Sequence, residues 1–176
     1  VSPDMGGIRR VKIASEMLGN IRYVAIEKHR DLATGSVTAQ KIVTSFWGDP
    51  PVGGATPESL DVTRDRSDSG QARMTKHKQA NGLRGKQVFI IDDMISSGKT
   101  IETAANLLRN RGVEEIYVFA THPVFSDDAP KVLQDAAVKR VFVTDSIYIP
   151  KEKKFPKLEI ISITDTIAEK LLEARG

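Results

Sequence analysis

Apolar and polar positions alternate along the chain between two periods, and the alternation predicts a strand–helix series. "GIRRVKIASEMLG" (7–19) places Ile8, Val11, Ala14 and Leu18 on one helical face, with Gly19 at its end. "RYVAIE" (22–27) predicts a short strand, and "KQVFII" (86–91) a continuous β-branched strand of the buried kind. Residues 100–111 predict a helix whose inner face carries Ile101, Ala104, Ala105 and Leu108, with Gly112 as its stop. "EIYVFAT" (115–121), "RVFVTDS" (140–146) and "KLEIISI" (157–163) read as strands. "DDAPKVLQDAA" (127–137) and "DTIAEKLLEA" (165–174) read as helices.

Strands and helices joined by short links imply an α/β fold, a mostly parallel twisted sheet flanked by helices on both faces. Ligands of such sheets bind at the carboxyl ends of the strands. Asp4, Asp92, Asp93, Thr121, Asp145 and Thr164 all fall at or just past predicted strand ends. Residues 46–82 break the pattern: they are rich in Gly, Pro, Ser, Asp and basic residues and have no sustained period. They are expected to form a long flexible loop or flap, with a hairpin around "KIVTSFWG". Val1 reads as the last residue of a strand whose earlier part is absent, and the chain as a piece of a longer protein.

Composition narrows the picture. The 176 residues, 40% hydrophobic and 28% charged, suit one packed domain. A net charge of +3 from scattered residues is too weak to argue for nucleic acid and suits a small phosphorylated molecule equally well. The absence of cysteine excludes disulfides and thiolate metal sites and fits a cytoplasmic protein. No apolar run approaches the roughly 20 residues that span a bilayer.

The densest chemistry lies in "VFIIDDMISSGKT" (88–100). A nucleotide-binding P-loop would need Gly at position 93, where the chain has Asp, so that reading fails at its most demanding position. A turn of Ser and Gly opening a helix, however, presents amide donors and the positive end of the helix dipole to a monophosphate. Two carboxylates nearby accept hydrogen bonds from a vicinal diol. A sugar phosphate presents both groups. An ordinary helix cap at Ser96 or Ser97 beside an acidic strand end is the bland alternative.

The stretch resembles the binding motif for phosphoribosyl diphosphate (PRPP) of type I phosphoribosyltransferases and of ribose-phosphate diphosphokinases. "VSPDMGGIRR", "EKHRD", "ATHPVFSDDA", "VTDSIYIP" and "ISITDTIAEKL" resemble further segments of the diphosphokinases, in order, over nearly the whole chain. The resemblance implies a phosphoribosyltransferase-like catalytic domain over 1–176, the carboxyl-terminal domain of an enzyme whose amino-terminal half is absent. It implies diphosphate transfer from MgATP to ribose 5-phosphate, giving PRPP and AMP, in a cytoplasmic homo-oligomer that needs neither nucleic acid nor membrane. Asp92 and Asp93 would hold the ribose hydroxyls, and Ser96, Ser97, Gly98, Lys99 and Thr100 the 5-phosphate. Asp4 would ligate Mg2+, Gly6 and Gly7 would admit the diphosphoryl group, and Lys28 and Arg30 would close over the transferring group.

The chain departs from the family at several positions. Ser96 and Ser97 stand where Asp-Thr is commoner, Lys99 where a small residue is usual, His29 for the middle Arg and Pro123 for Gly. The segment from Arg30 to Gln87 is longer than a short catalytic loop. Without the adenine-gripping half, the chain alone is expected to bind the sugar phosphate but turn over poorly. The rival readings are a phosphoribosyltransferase that consumes PRPP, which would need an element to read a base, and a non-catalytic regulatory relative, which would be expected to lose charged residues that are present here.

Overall fold

The computed structural model describes residues 1–30, 37–45 and 83–175. The expected flap over 46–82 lies outside the described residues. Four strands, β3 (Gln87–Ile95), β4 (Glu115–Pro123), β5 (Arg140–Thr144) and β6 (Leu158–Ile161), form a parallel sheet in the order β3-β4-β5-β6. The crossovers carry α2 (Lys99–Asn110) and α3 (Ala129–Asp135), while α4 (Thr164–Glu173) follows β6. This is the α/β arrangement expected from the pattern.

Two further strands, β1 (Tyr23–Arg30) and β2 (Val37–Ser45), pair antiparallel, with Ile26 opposite Ile42. The two sheets meet through an extended dipeptide. Ser2 N–H donates to Val24 O (2.9 Å) and Ile26 N–H to Ser2 O (3.0 Å) on one side. On the other, Ile91 N–H donates to Val1 O (3.0 Å) and the Val1 amino group to Phe89 O. Val1 and Ser2 thus satisfy backbone groups of β1 and β3 that would otherwise be buried without partners. The next residues turn as a 3-10 segment, Met5–Gly7, and enter α1 (Ile8–Met17).

The core lies between the sheet and the α2–α3 pair. Val88 and Ile90 of β3, Ile116 and Val118 of β4, and Val141 and Val143 of β5 face Ile101, Ala104, Ala105 and Leu108 of α2 and Leu133 of α3. These strand positions are β-branched because parallel strands buried under helices favour stiff, pleat-filling side chains. The two alanines let α2 approach the sheet closely. The opposite face is shallower. Its rings form a ladder, with Phe119 stacked on Phe142 at 4.6 Å and Phe89 packed edge-on to Phe119 at 5.8 Å.

Several elements differ from the sequence reading. β3 runs through Asp92 and Asp93 to Ile95, so the acids are strand residues. β1 likewise extends over Lys28 and Arg30. Helix α1 ends at Met17, and Leu18, expected on its inner face, is exposed; Val11 and Ser15 are the buried positions. Ser15 donates its hydroxyl to Ile21 O, which rewards burying a polar residue there. No residue of α4 is buried, and its Leu171 and Leu172 stand in solvent.

The contrast between these positions is measurable. Ile90→Ala, at a fully buried site, is expected to lower stability in urea denaturation by about 2–5 kcal/mol, whereas Leu172→Ala on α4 is expected to change it by less than about 1 kcal/mol. Equal losses would mean that the core is not where the packing places it.

Candidate functional site

Parallel strand order decides where the chemistry gathers. β3 delivers Asp92 and Asp93 to the carboxyl edge of the sheet, and the chain then turns through Ser96, Ser97 and Gly98 into α2. The turn is sharp because Gly98 adopts φ 76°, in the left-handed region. It is also close to α3, since a Cβ on Gly98 would lie 3.2 Å from Leu133 Cγ. Any side chain there would strain the loop on both counts. The first amides of α2 have no acceptor within the helix and face outward from its start.

A second support comes from the turn after β4. Ser126 N–H donates to Ser96 O (3.2 Å), and the two serine hydroxyls share a hydrogen bond of 2.8 Å. Phe125, fully buried at φ 44°, holds that turn in place, and Lys153 donates to its carbonyl at 2.7 Å. Ser126 belongs to the family-like segment "ATHPVFSDDA" but was given no role at the site. Its place in "PVFSDDA" gave no sign that it would meet Ser96, thirty residues earlier.

Between the acids and this loop lies a cavity of about 230 Å3. Asp4, Asp92, Asp93, Ser96, Ser97, Gly98 and Thr100 line it, with Met94, Ile95 and Ile101. Of the sequence-derived candidates, Lys99 is not in the lining. Gly6 and Gly7 lie beside the cavity, not in its wall, and Asp4 Oδ1 caps the turn by accepting from Gly7 N–H at 3.1 Å. Thr121 instead lines a neighbouring apolar cavity of about 270 Å3 over Phe119 and Phe142. Asp145 accepts from Ile163 N–H at 2.9 Å and ties β5 to the segment after β6. Thr164 bonds locally with Ser162. The backbones of Lys28 and Arg30 lie in β1, and their side chains fall outside the described residues.

Arg10 of α1 was not among the candidates. Its Nη2 lies 2.9 Å from Asp93 Oδ2 and its Nη1 3.4 Å from Asp92 Oδ1. Backbone donors also hold the acids: Asp93 N–H to Asp92 Oδ1 and Met94 N–H to Asp93 Oδ1, both at 2.9 Å. The two carboxyls respond differently. Burial, assisted by the neighbouring Asp93 and Asp4 charges, pushes Asp92 up to about 6. Burial also pulls Asp93 upward, but the hydrogen bond with Asp92 and the Arg10 charge outweigh it and hold Asp93 below the ordinary value. The pair thus keeps one firmly ionised carboxylate beside one that titrates near neutrality.

Residues 55–174 match the family model described as the phosphoribosyl synthetase-associated domain. The chain belongs to that family. The resemblance read from the separated sequence segments is therefore borne out. The chain is 28% identical over 169 residues to a ribose-phosphate pyrophosphokinase of Gloeobacter violaceus, covering 96% of this chain and 40% of that protein. It is 30% identical over 169 residues to the Nostoc sp. protein of the same name, with the same coverage. Its fold matches a crystal structure of phosphoribosylpyrophosphate synthetase from Mycobacterium smegmatis with a TM-score of 0.70 at 26% identity, covering 99% of this chain and 44% of that one. The chain thus spans about two fifths of the length of the relatives it matches. Among the described residues no helix is long and apolar enough to cross a membrane.

The electrostatics of the pair has a pH signature. A carboxyl-carbon NMR titration is expected to place Asp92 near 6 and Asp93 below 3.8. The folded value of Asp92 exceeds its ordinary 3.8, so the native state holds that proton more tightly than the unfolded chain. Its contribution to stability is full below 3.8 and is lost as pH rises through about 6. Asp92→Asn should remove that slope, and a midpoint for Asp92 at or below 4 would contradict the assignment.

Proposed function

We propose that this chain is the sugar-phosphate-binding catalytic domain of a ribose-phosphate diphosphokinase. The observation that carries the reading is the cavity with paired carboxylates at one wall and helix-opening amides at the other. That combination of acceptors and donors suits ribose 5-phosphate. The 2- and 3-hydroxyls donate to Asp92 and Asp93, and the phosphate takes the amides and hydroxyls of Ser96, Ser97, Gly98 and Thr100. Lys99, outside the cavity wall, adds long-range positive charge to that end.

The reaction is a diphosphoryl transfer. The sugar 1-hydroxyl oxygen forms a bond to the β-phosphorus of ATP, the bond from that phosphorus to the oxygen shared with the α-phosphate breaks, and AMP leaves with the electron pair. The hydroxyl proton passes to solvent. Such transfers depend mainly on positioning and on neutralising charge spread over the phosphoryl oxygens. Lys28 and Arg30 supply that neutralisation from β1, and the glycines of the Asp4–Gly7 turn admit the diphosphoryl group.

Mg2+ is the metal implied. Among the described residues no group of three or more His, Cys, Asp or Glu is arranged to hold an ion. Mg2+ in phosphate-binding sites commonly takes one or two carboxylates and completes its shell with phosphate and water. Asp4, a carboxylate in the cavity wall, is the residue that would hold it, and the ion would neutralise the diphosphate there. Asp4 meanwhile fixes its own turn through Gly7. The partners are ribose 5-phosphate, ATP and further copies of the same chain, and the setting is the cytoplasm, on the family resemblance.

Asp93→Asn keeps the shape and removes charge and acceptor strength. Calorimetry is expected to show ribose 5-phosphate binding weakened about tenfold, the scale of one charge-assisted hydrogen bond; unchanged affinity would remove the acids from the sugar contact. In the complete enzyme, Lys28→Ala should lower kcat far more than it raises KM, because its charge is needed most in the transition state. A change confined to KM would refute that role.

A further inference from the structure

The sugar grip has a cation built into it that the diol reading does not require. We propose that Arg10 is a positioning residue of this site: its guanidinium spans Asp92 and Asp93, fixes their spacing and aim, and ties the Asp4–Gly7 turn to the grip. The inference rests on reading the cavity as a ribose 5-phosphate site.

The geometry supports it from three sides. The two guanidinium nitrogens address different carboxylates, Nη1 at 3.4 Å from Asp92 and Nη2 at 2.9 Å from Asp93. A planar fork with several N–H donors can do this at fixed spacing, which a single ammonium cannot. Main-chain donors fix the same carboxylates: Asp92 Oδ1 accepts from Asp93 N–H as well as from Arg10, and Asp93 accepts from Met94 N–H on Oδ1 while Arg10 addresses its Oδ2. Each carboxylate offers about four lone-pair sites, so one bond to Arg10 leaves acceptors for a hydroxyl.

The third side is the turn before α1. A Cβ on Gly7 would lie 2.4 Å from Ser2 Oγ and 3.2 Å from Arg10 Nη1. The guanidinium therefore occupies space that exists because residue 7 has no side chain. The same turn carries Asp4, whose carboxylate lines the cavity. A displacement of the turn is transmitted to Arg10 and through it to both acids. Without Arg10, the repulsion between adjacent carboxylates would swing them apart, and one sugar could no longer meet both.

The test compares ribose 5-phosphate, 2-deoxyribose 5-phosphate and inorganic phosphate by calorimetry, using the wild-type chain, Arg10→Gln and Arg10→Lys. The wild type should prefer the ribose over the deoxyribose ligand. In both variants that preference should fall about tenfold, toward unity, while inorganic phosphate binds as before. A general structural loss would weaken all three ligands together and leave the preference intact; that result, or failure of both variants to fold, overturns the proposal. Full rescue by lysine would also overturn it, because the bridging fork would then be unnecessary. If the wild type binds phosphate yet does not distinguish the two sugars, the diol grip itself is wrong. If Asp93→Asn abolishes the preference and Arg10→Gln does not, only the role of Arg10 is wrong.

Discussion

Two like charges stand side by side near the end of an apolar strand, and the structure around them is arranged to tolerate that. The Asp92 side chain is mostly buried, 14% exposed, among groups that disfavour its ionisation, whereas that of Asp93 is 54% exposed. Backbone amides and Arg10 together hold both in one orientation. A free pair of adjacent aspartates would relieve its repulsion by turning apart. The constraint gives the site its polarity, with acceptors at one wall and amide donors at the opposite wall. A ligand with hydroxyls at one end and an anion at the other matches both walls in only one direction.

The fold supports this arrangement from beneath and from the side. From beneath, the β-branched positions of β3, β4 and β5 pack on α2 and α3 and leave the strand ends little freedom. The left-handed Gly98 and its contact with Leu133 fix where α2 begins, and hence where its amides point. From the side, Ser126 and the buried Phe125 brace the loop at Ser96. Leu133, Phe125 and Ser126 need not touch a ligand, yet each sets the position of a residue that lines the cavity. Loops that carry function on a rigid parallel sheet commonly depend on such second contacts.

The two faces of the sheet divide the work. The α2–α3 face is fully packed and supplies most of the burial. The opposite face carries a ladder of aromatic rings and an apolar cavity beside Arg10 and Asp92, and α4 adds no buried residue. The hairpin is joined to the parallel sheet by the backbone bonds of Val1 and Ser2 and by Ile26, which shares the core with Val88 and Ile90.

The local code was readable in the sequence. The periods of two and near four placed the strands and helices within a few residues, because burial on one face of a helix or under a sheet dictates which positions are apolar. The acids followed by "SSG" and a helix announced a sugar-phosphate loop, because each part of that ligand needs its own donor or acceptor type at short range. Other matters were settled only by folding. β3 extends through the acids because β4 continues alongside it to Pro123, a pairing that no local pattern encodes. Arg10 meets residues 82 positions away, and Ser126 meets Ser96, because parallel crossovers bring distant turns to the same edge. Lys99 reads as part of the loop in sequence but lies outside the cavity wall, since the helical turn it begins rotates it away from the neighbouring Thr100. Spacing along the chain fixes which groups are neighbours within an element, and only the packing of one element against another fixes which charges face each other.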